Sequence, residues 1–412
     1  MSATRPAETA DKASPIRDLL LPPILALLIF QVLSGVLVSP LFGLFPIYVE
    51  KVLRQRPEVA GDIRILFVVC GGAIAVIGGA LCDRFGRKPI YLLAMTGVTA
   101  GGFLFLVPQV SWMFPLAIYG GIMFGMGSVA GQSYLLDLVP TRSLALATAC
   151  YFLTGTVGNM VGGMGSAVIA ANVEGGYRLL GWGMVIGHTL LLFAAMALMP
   201  AAGAPQKKVD GAEKQIGLVE LLRRPAILAL LVLRFLPTVY WGAVTFLMPL
   251  LLFRLTRSEI PAGHYLAASG ALSAVCQLGA GRLVDRIGPR APVLVSITLV
   301  TLASLGQGLG AQHVPTLVGF ALLGAGAAWS LSISMTTLIQ RLSSPETKGR
   351  LLGLTHAAWS AGFLSGTKMG SVMAGWGSAA GNAFLICAGG GAVAIVSALI
   401  VAKALPAEPR KT

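Results

Sequence analysis

The sequence has little charge. Only 11% of its 412 residues are charged and 56% are hydrophobic, whereas a soluble globular chain averages roughly 25% charged residues. This number of charged residues is too small to cover a water-facing surface. Most of the chain must therefore lie in lipid. At roughly 20 residues per crossing, its apolar runs are long enough for about twelve transmembrane helices.

Patterns typical of enzymes and pumps are also missing. The five cysteines stand singly, with no spacing that suits a disulfide framework or a metal site, at Cys70, Cys82, Cys150, Cys276 and Cys387. No nucleophile has a neighbouring base, no His, Cys and carboxylate cluster suits a metal, and no P-loop occurs. We therefore expect neither an enzyme nor an ATP-driven pump, and no metal or cofactor.

The net charge of +14 does not indicate a nucleic-acid partner, because the Lys and Arg residues fall in short loops between apolar runs. Basic residues collect in cytoplasmic loops, and most of them fall on the side of the N-terminus. The pattern predicts a multi-pass protein of the cell (inner) membrane with both termini cytoplasmic. Its only large partner would be the lipid bilayer.

The predicted spans divide the chain into two halves. Helices are expected near 22–49, 63–82, 89–108, 112–136, 144–171, 178–199, 225–254, 262–281, 291–310, 315–339, 351–375 and 380–403. The N-terminal bundle then covers 22–200 and the C-terminal bundle 225–404. A cytoplasmic N-tail (1–21), linker (201–224) and C-tail (405–412) complete the division.

The second half repeats the first. An offset of 203 (225 − 22 and 234 − 31) aligns Pro22 with Pro225 and Gln31 with Arg234. Packing in lipid does not impose one register on prolines and polar residues, whereas duplicated halves with a substrate site between them are common in transporters. The repeat predicts two pseudo-symmetric six-helix bundles.

A short loop motif occurs once in each half. It reads GALCDRFGRK from Gly79 to Lys88 and GRLVDRIGPR from Gly281 to Arg290. Glycine permits a tight reversal, the aspartate suits the start of the next helix, and the basic residues favour the cytoplasmic side. The motif residues with a predicted conformational role are Gly79, Asp83, Arg84, Gly86, Arg87, Asp285 and Arg286.

These paired loops, the helix count and the polar loop from Ser344 to Arg350 resemble the major facilitator superfamily over essentially the whole chain. The resemblance implies an all-α membrane protein of twelve helices in two bundles that rock about a central site, functional as a monomer. It implies a secondary transporter or exchanger, with Asp83 and Arg87 in a cytoplasmic latch. Asp83→Asn is then expected to lower turnover more than substrate affinity.

Two cations fall inside predicted helices, where each costs roughly 2.5–3.5 kcal/mol at the bilayer centre. They are Arg234, which shares a helical face with Thr238 and Trp241, and Lys368. The sixteen acidic residues fall in tails, loops or helix ends, so no carboxylate is expected to neutralise either cation. Two unneutralised cations favour a small organic anion as substrate.

The predicted substrate-binding residues are Arg234, Lys368, Gln31, Thr238, Trp241, Gln132, Gln277 and Asn159, and the candidate coupling residues are Asp137 and His356. Other interpretations stay open, since both cations could extend towards the membrane surfaces or bond to backbone carbonyls. A glycine-rich stretch from Gly155 to Gly163 resembles that of drug and proton antiporters, so proton-coupled efflux of drugs or metabolites is the alternative function. A transport-like receptor is a third.

Overall fold

The computed structural model describes residues 19–139, 144–200, 221–343 and 348–405. This part contains thirteen α-helices and a short 3-10 turn, Gly377–Gly381. The first half holds α1 (Pro22–Gly43), α2 (Phe45–Lys51), α3 (Pro57–Phe85), α4 (Arg87–Phe103), α5 (Val110–Leu138), α6 (Leu144–Asn172) and α7 (Gly176–Leu198). The second holds α8 (Pro225–Thr256), α9 (Ile260–Ile287), α10 (Arg290–Leu309), α11 (Val314–Leu342), α12 (Lys348–Gly375) and α13 (Asn382–Ala404).

The all-α prediction is confirmed, and α1 with α2 forms one span, which makes twelve. Eight of the long helices are apolar enough to cross a membrane by length and composition alone. The other four are α3, α4, α9 and α12. Three of these, α3, α9 and α12, lie where the two halves meet, so their polar residues can face protein instead of lipid. The predicted N-tail, linker and C-tail lie almost entirely outside the described residues. So do residues 344–347 of the polar loop expected from Ser344 to Arg350, whereas Lys348 to Arg350 form the start of α12.

The two halves pack in the same pattern. Helix α1 packs on α6 as α8 packs on α12, α3 packs on α5 as α9 packs on α11, and α4 packs on α7 as α10 packs on α13. Equivalent helix pairs in both halves are what an internal duplication produces. The repeat read from the sequence is therefore present in the packing.

The first span is interrupted, which corrects the single helix expected over 22–49. Helix α1 ends at Gly43, Leu44 has φ −108° and ψ −14°, and α2 begins at Phe45. Pro46 has no N–H to continue the helical ladder, which favours a break at this point. Its counterpart Pro249 lies inside the continuous helix α8. The halves therefore differ at this point.

Both loop motifs form the predicted tight reversals. Gly86, with φ +88°, separates α3 from α4, and Gly288, with φ +76°, ends α9 shortly before α10. Residues with a Cβ rarely adopt such angles, so glycine is required at both turns. We call the end of the bundle that carries these turns the loop end, and the opposite end the far end.

Ion pairs join the two halves at the far end. Arg254 pairs with Glu50 at 2.5 Å, and Lys51 pairs at 2.7 Å with Glu259. The Glu259 side chain is only 1% exposed, and it also accepts a hydrogen bond from the Tyr177 hydroxyl at 2.9 Å. Because each contact connects residues of opposite halves, the far end is closed in this structure.

Candidate substrate-binding site

Each half contains a cavity. The cavity of the second half, about 70 Å³, lies between α8, α11 and α12, and we call it the Arg234 cavity; its polar and aromatic lining is Arg234, Thr238, Trp241, Trp329, Ser332 and Trp359. The cavity of the first half, about 340 Å³, lies between α1, α4, α5 and α6. We call it the Gln31 cavity; its polar lining is Gln31, Ser34, Ser128, Gln132 and Asn159, with Tyr91 and Tyr151. One cavity is small and cationic, and the other is large and neutral.

Arg234 has weak protein partners. Its Nη1 donates to Ser332 Oγ at 3.4 Å, near the limit for a hydrogen bond. No carboxylate forms an ion pair with Arg234 in the part of the chain that the structure describes. A guanidinium with five donors is suited to a carboxylate or another planar anion. The geometry therefore leaves room for an anionic ligand.

Tryptophans surround this arginine. The rings of Trp241 and Trp329 meet edge to face, with centroids 5.8 Å apart. Trp359 stacks on Phe363 at 5.6 Å and on His356 at 5.9 Å. Such faces bind apolar and aromatic groups and also attract cations. His356, a candidate coupling residue, is exposed and forms one end of this stack.

The Gln31 cavity brings together three predicted substrate residues, Gln31, Gln132 and Asn159. Asn159 Nδ2 donates to the Gly155 carbonyl at 2.9 Å, and Gln132 Nε2 lies 3.5 Å from Ser128 Oγ. Their amide groups provide neutral donors and acceptors. Gln277, on α9, does not line either of these cavities.

The environment of Lys368 in the structure differs from the one expected from the sequence. Its Nζ pairs with Asp62 Oδ1 at 2.6 Å, and the two side chains are 48% and 45% exposed. The expectation that no carboxylate neutralises Lys368 is therefore wrong. Helix α3 begins at Pro57 instead of near residue 63, which places Asp62 within the helix and beside α12. Lys368 lies at the far end and does not line the Arg234 cavity.

The sequence does not single out Arg64, which falls at the start of the helix predicted over 63–82. Its Nη1 donates to the Thr245 carbonyl at 3.1 Å, and its Nη2 lies 3.2 Å from Thr245 Oγ1. The guanidinium carbon lies 5.4 Å from the ring centroid of Phe363. A signal for this residue existed, because proline is favoured in the first turn and Pro57 therefore predicts an earlier helix start.

The latch motif is partly described. Arg87 Nε pairs with Asp137 Oδ2 at 3.0 Å, and both residues belong to the first half. Asp137, a candidate coupling residue, is thus paired with an arginine of the motif. Arg84 is exposed and lies over the Phe85 ring. The side chain of Asp83 lies outside the described part, so its predicted contact stays a prediction. In the second copy of the loop motif, Asp285 and Arg286 are exposed. Asp285 also interacts with another group of the protein.

The profile of the Major Facilitator Superfamily matches residues 27–309 and 253–412. The chain belongs to this family, as its repeated helix packing and paired loops indicate. It is therefore a multi-pass membrane transporter with the twelve-helix fold of that family, and it is not an enzyme.

Among relatives, the "Enterobactin exporter EntS" of Escherichia coli O1:K1 / APEC is 26% identical over 345 residues, covering 81% of this chain and 80% of the exporter. A bacterial homolog of the human lysosomal transporter Spinster, inward-facing and unoccupied, has a TM-score of 0.73 at 14% identity over 95% of this chain and 98% of its own. The human organic anion transporter MFSD10 (TETRAN) has a TM-score of 0.65 at 16% identity over 94% of this chain and 100% of its own. At such identities the two structures support the fold alone.

Proposed function

We propose that this chain is a secondary exporter that carries a small organic anion out of the cytoplasm by alternating access, acting as a monomer in the inner membrane. Arg234 binds the anionic group, and the Gln31 cavity receives the rest of the molecule. The main support for this proposal is that the Arg234 guanidinium has no carboxylate partner among the described residues. The exporters among its relatives support the direction.

The cost of holding a charge inside the membrane also favours an anionic cargo. A cation within the membrane is retained where it faces a cavity and gains a counter-ion. An anion with charge-assisted hydrogen bonds to Arg234 supplies that counter-ion during each transport cycle. A cationic cargo would be repelled by the same group. The lining of the Arg234 cavity therefore supports anionic cargo over cationic drugs.

The division of the site between the halves supports alternating access. A ligand that contacts Arg234 and the amides of the Gln31 cavity bridges two bodies that rock against each other. The ion pairs at the far end close that side, so we assign the loop end, rich in Lys and Arg, to the cytoplasm. Cargo enters there, the far-end pairs separate, and the anion leaves.

Counterflow in proteoliposomes tests this proposal. The purified protein is assayed with labelled benzoate, 2-naphthoate and citrate, and with labelled ethidium as the cationic comparison. We expect exchange of at least one anion, its loss in Arg234→Gln and partial retention in Arg234→Lys. The control is Lys403→Gln, which removes an exposed charge from the same half, away from both cavities and the loop motif, and should leave exchange unchanged.

Three results would contradict the proposal. If Arg234→Gln exchanged the anion at the wild-type rate, the site would be misassigned. If only ethidium were exchanged, cationic drug efflux would take its place. If anions bound without being exchanged, the chain would be a receptor.

A further inference from the structure

Aromatic rings connect the Arg234 cavity with Arg64. Trp359 lines that cavity and stacks on Phe363 with an interplanar angle of 16°. Phe363 is one turn further along α12, and its ring lies beneath the Arg64 guanidinium. The two arginines therefore lie at opposite ends of one aromatic surface.

Helix α8 provides a second connection. Thr245, which accepts the hydrogen bond from Arg64 Nη1 through its carbonyl, lies eleven residues beyond Arg234 (245 − 234) on the helical face that also carries Trp241. Eleven residues span roughly 16 Å of helix. One face of α8 therefore carries Arg234 near mid-membrane and contacts Arg64 of α3 nearer the far end.

Arg64 resembles Arg234 in its partners. It forms no ion pair with a carboxylate among the residues that the structure describes. Its hydrogen bonds go to a neutral threonine of the opposite half. It also lines a small cavity with Phe42, Phe67 and Phe363, and Phe42 is shared with the Gln31 cavity. A route of aromatic groups thus leads from both main cavities to Arg64.

We propose that Arg64 is a second anion-binding position on the exit path, and that the cargo class is aromatic organic anions. The inference rests on the proposed function and specifies its cargo. The anionic group binds Arg234 first, and the ring slides over Trp359 and Phe363. When the far end opens, α8 moves away from α3, Thr245 leaves Arg64, and the guanidinium accepts the anion before release.

Substitution of Arg234 and substitution of Arg64 should affect binding and exchange differently. While the far end is closed, as in this structure, Arg64 is held by Thr245, so its removal should leave the first binding step intact. Arg234→Gln should weaken binding of an aromatic carboxylate by about 10- to 100-fold, the equivalent of a hydrogen bond to a charged group. Arg64→Gln should preserve that binding within about twofold but lower exchange by about tenfold or more.

The experiment uses three probes: 2-naphthoate, its neutral amide 2-naphthamide and the aliphatic cyclohexanecarboxylate. Binding is measured by calorimetry and exchange of labelled 2-naphthoate by counterflow. Arg64→Lys, which keeps the charge, should retain part of the exchange. The matched control is Arg56→Gln, which removes an exposed arginine at the start of the same helix and should exchange at close to the wild-type rate. Retained binding in Arg64→Gln shows that this variant is folded.

Each contrary result has one meaning. Wild-type exchange in Arg64→Gln, with loss in Arg234→Gln, overturns the second position and leaves the proposed function standing. Loss of binding in a folded Arg64→Gln protein overturns the order of the two positions. If 2-naphthoate bound no more tightly than cyclohexanecarboxylate or 2-naphthamide, the aromatic-anion class would be wrong. If Arg234→Gln changed nothing, the proposed function itself would fail.

Discussion

The two cavities occupy equivalent places in a duplicated fold but differ in chemistry. At aligned positions the first half has Gln31 and the second has Arg234. The Gln31 cavity is several times larger and its polar lining is neutral, whereas the Arg234 cavity combines a cation with three tryptophans. Duplication kept the helix packing, while the side chains that line the two cavities diverged. Under the proposed function, one cavity recognises the charge of the cargo and the other accommodates the rest of the molecule.

Moving the charge between the halves tests this comparison most strongly. Arg234→Gln alone should weaken 2-naphthoate binding by about 10- to 100-fold. The double variant Gln31→Arg with Arg234→Gln should not restore it, because the first half lacks the tryptophan surface. The affinity of each variant for 2-naphthoate is measured by titration calorimetry. Wild-type affinity in the double variant would show that the halves are interchangeable.

Aromatic substitutions should produce the next largest effect. Trp359→Leu removes a ring face from the Arg234 cavity and should weaken 2-naphthoate binding by about 2- to 10-fold, the typical contribution of an aromatic pair. The matched change in the Gln31 cavity, Phe124→Leu, should have less effect. The same titrations measure both. An equal loss in both variants would remove the distinction between the cavities.

Removing an amide from the Gln31 cavity should have a smaller effect. Gln132→Leu eliminates one neutral hydrogen-bonding group, so we expect about a threefold loss of affinity, within the range for such a bond. The loss should be the same for 2-naphthoate and 2-naphthamide, because the amide does not recognise charge. A loss confined to the anion would assign charge recognition to both halves.

The smallest effect on binding is expected at Lys368. A half-exposed ion pair contributes about 0–1 kcal/mol, and Asp62 already neutralises this lysine. Lys368→Gln should therefore change 2-naphthoate affinity by less than about twofold. A tenfold loss would return Lys368 to the substrate site that the sequence predicts, and Asp62→Asn serves as the matched control for the lost pair.

Much of the fold could be predicted because its signals are local. Apolar runs predicted the spans, and the repeated Gly86 and Gly288 predicted the two reversals. The break at Leu44 is favoured locally by Pro46, yet Pro249 lies in an unbroken helix. Proline therefore does not decide the outcome without its surroundings.

The candidate site was harder to predict because it depends on distant contacts. Asp62 and Lys368 are 306 residues apart (368 − 62), and no pattern in the sequence brings them together. Arg64 falls at the start of the predicted helix because the charged first turns of α3 lower the hydropathy there. Arg234 was found because it interrupts a strongly apolar run. A charge in an apolar context is visible in sequence, whereas a pairing between halves is not.

The positive charge of Arg234, which favours an anionic cargo, also affects how the cycle is driven. A cell interior is electrically negative, and moving one charge across the membrane changes the free energy by about 2.3 kcal/mol per 100 mV. An anion that leaves the cytoplasm moves down this potential. Under the proposed function, the resting membrane voltage would supply a driving force for export, and the cargo would need no accompanying ion.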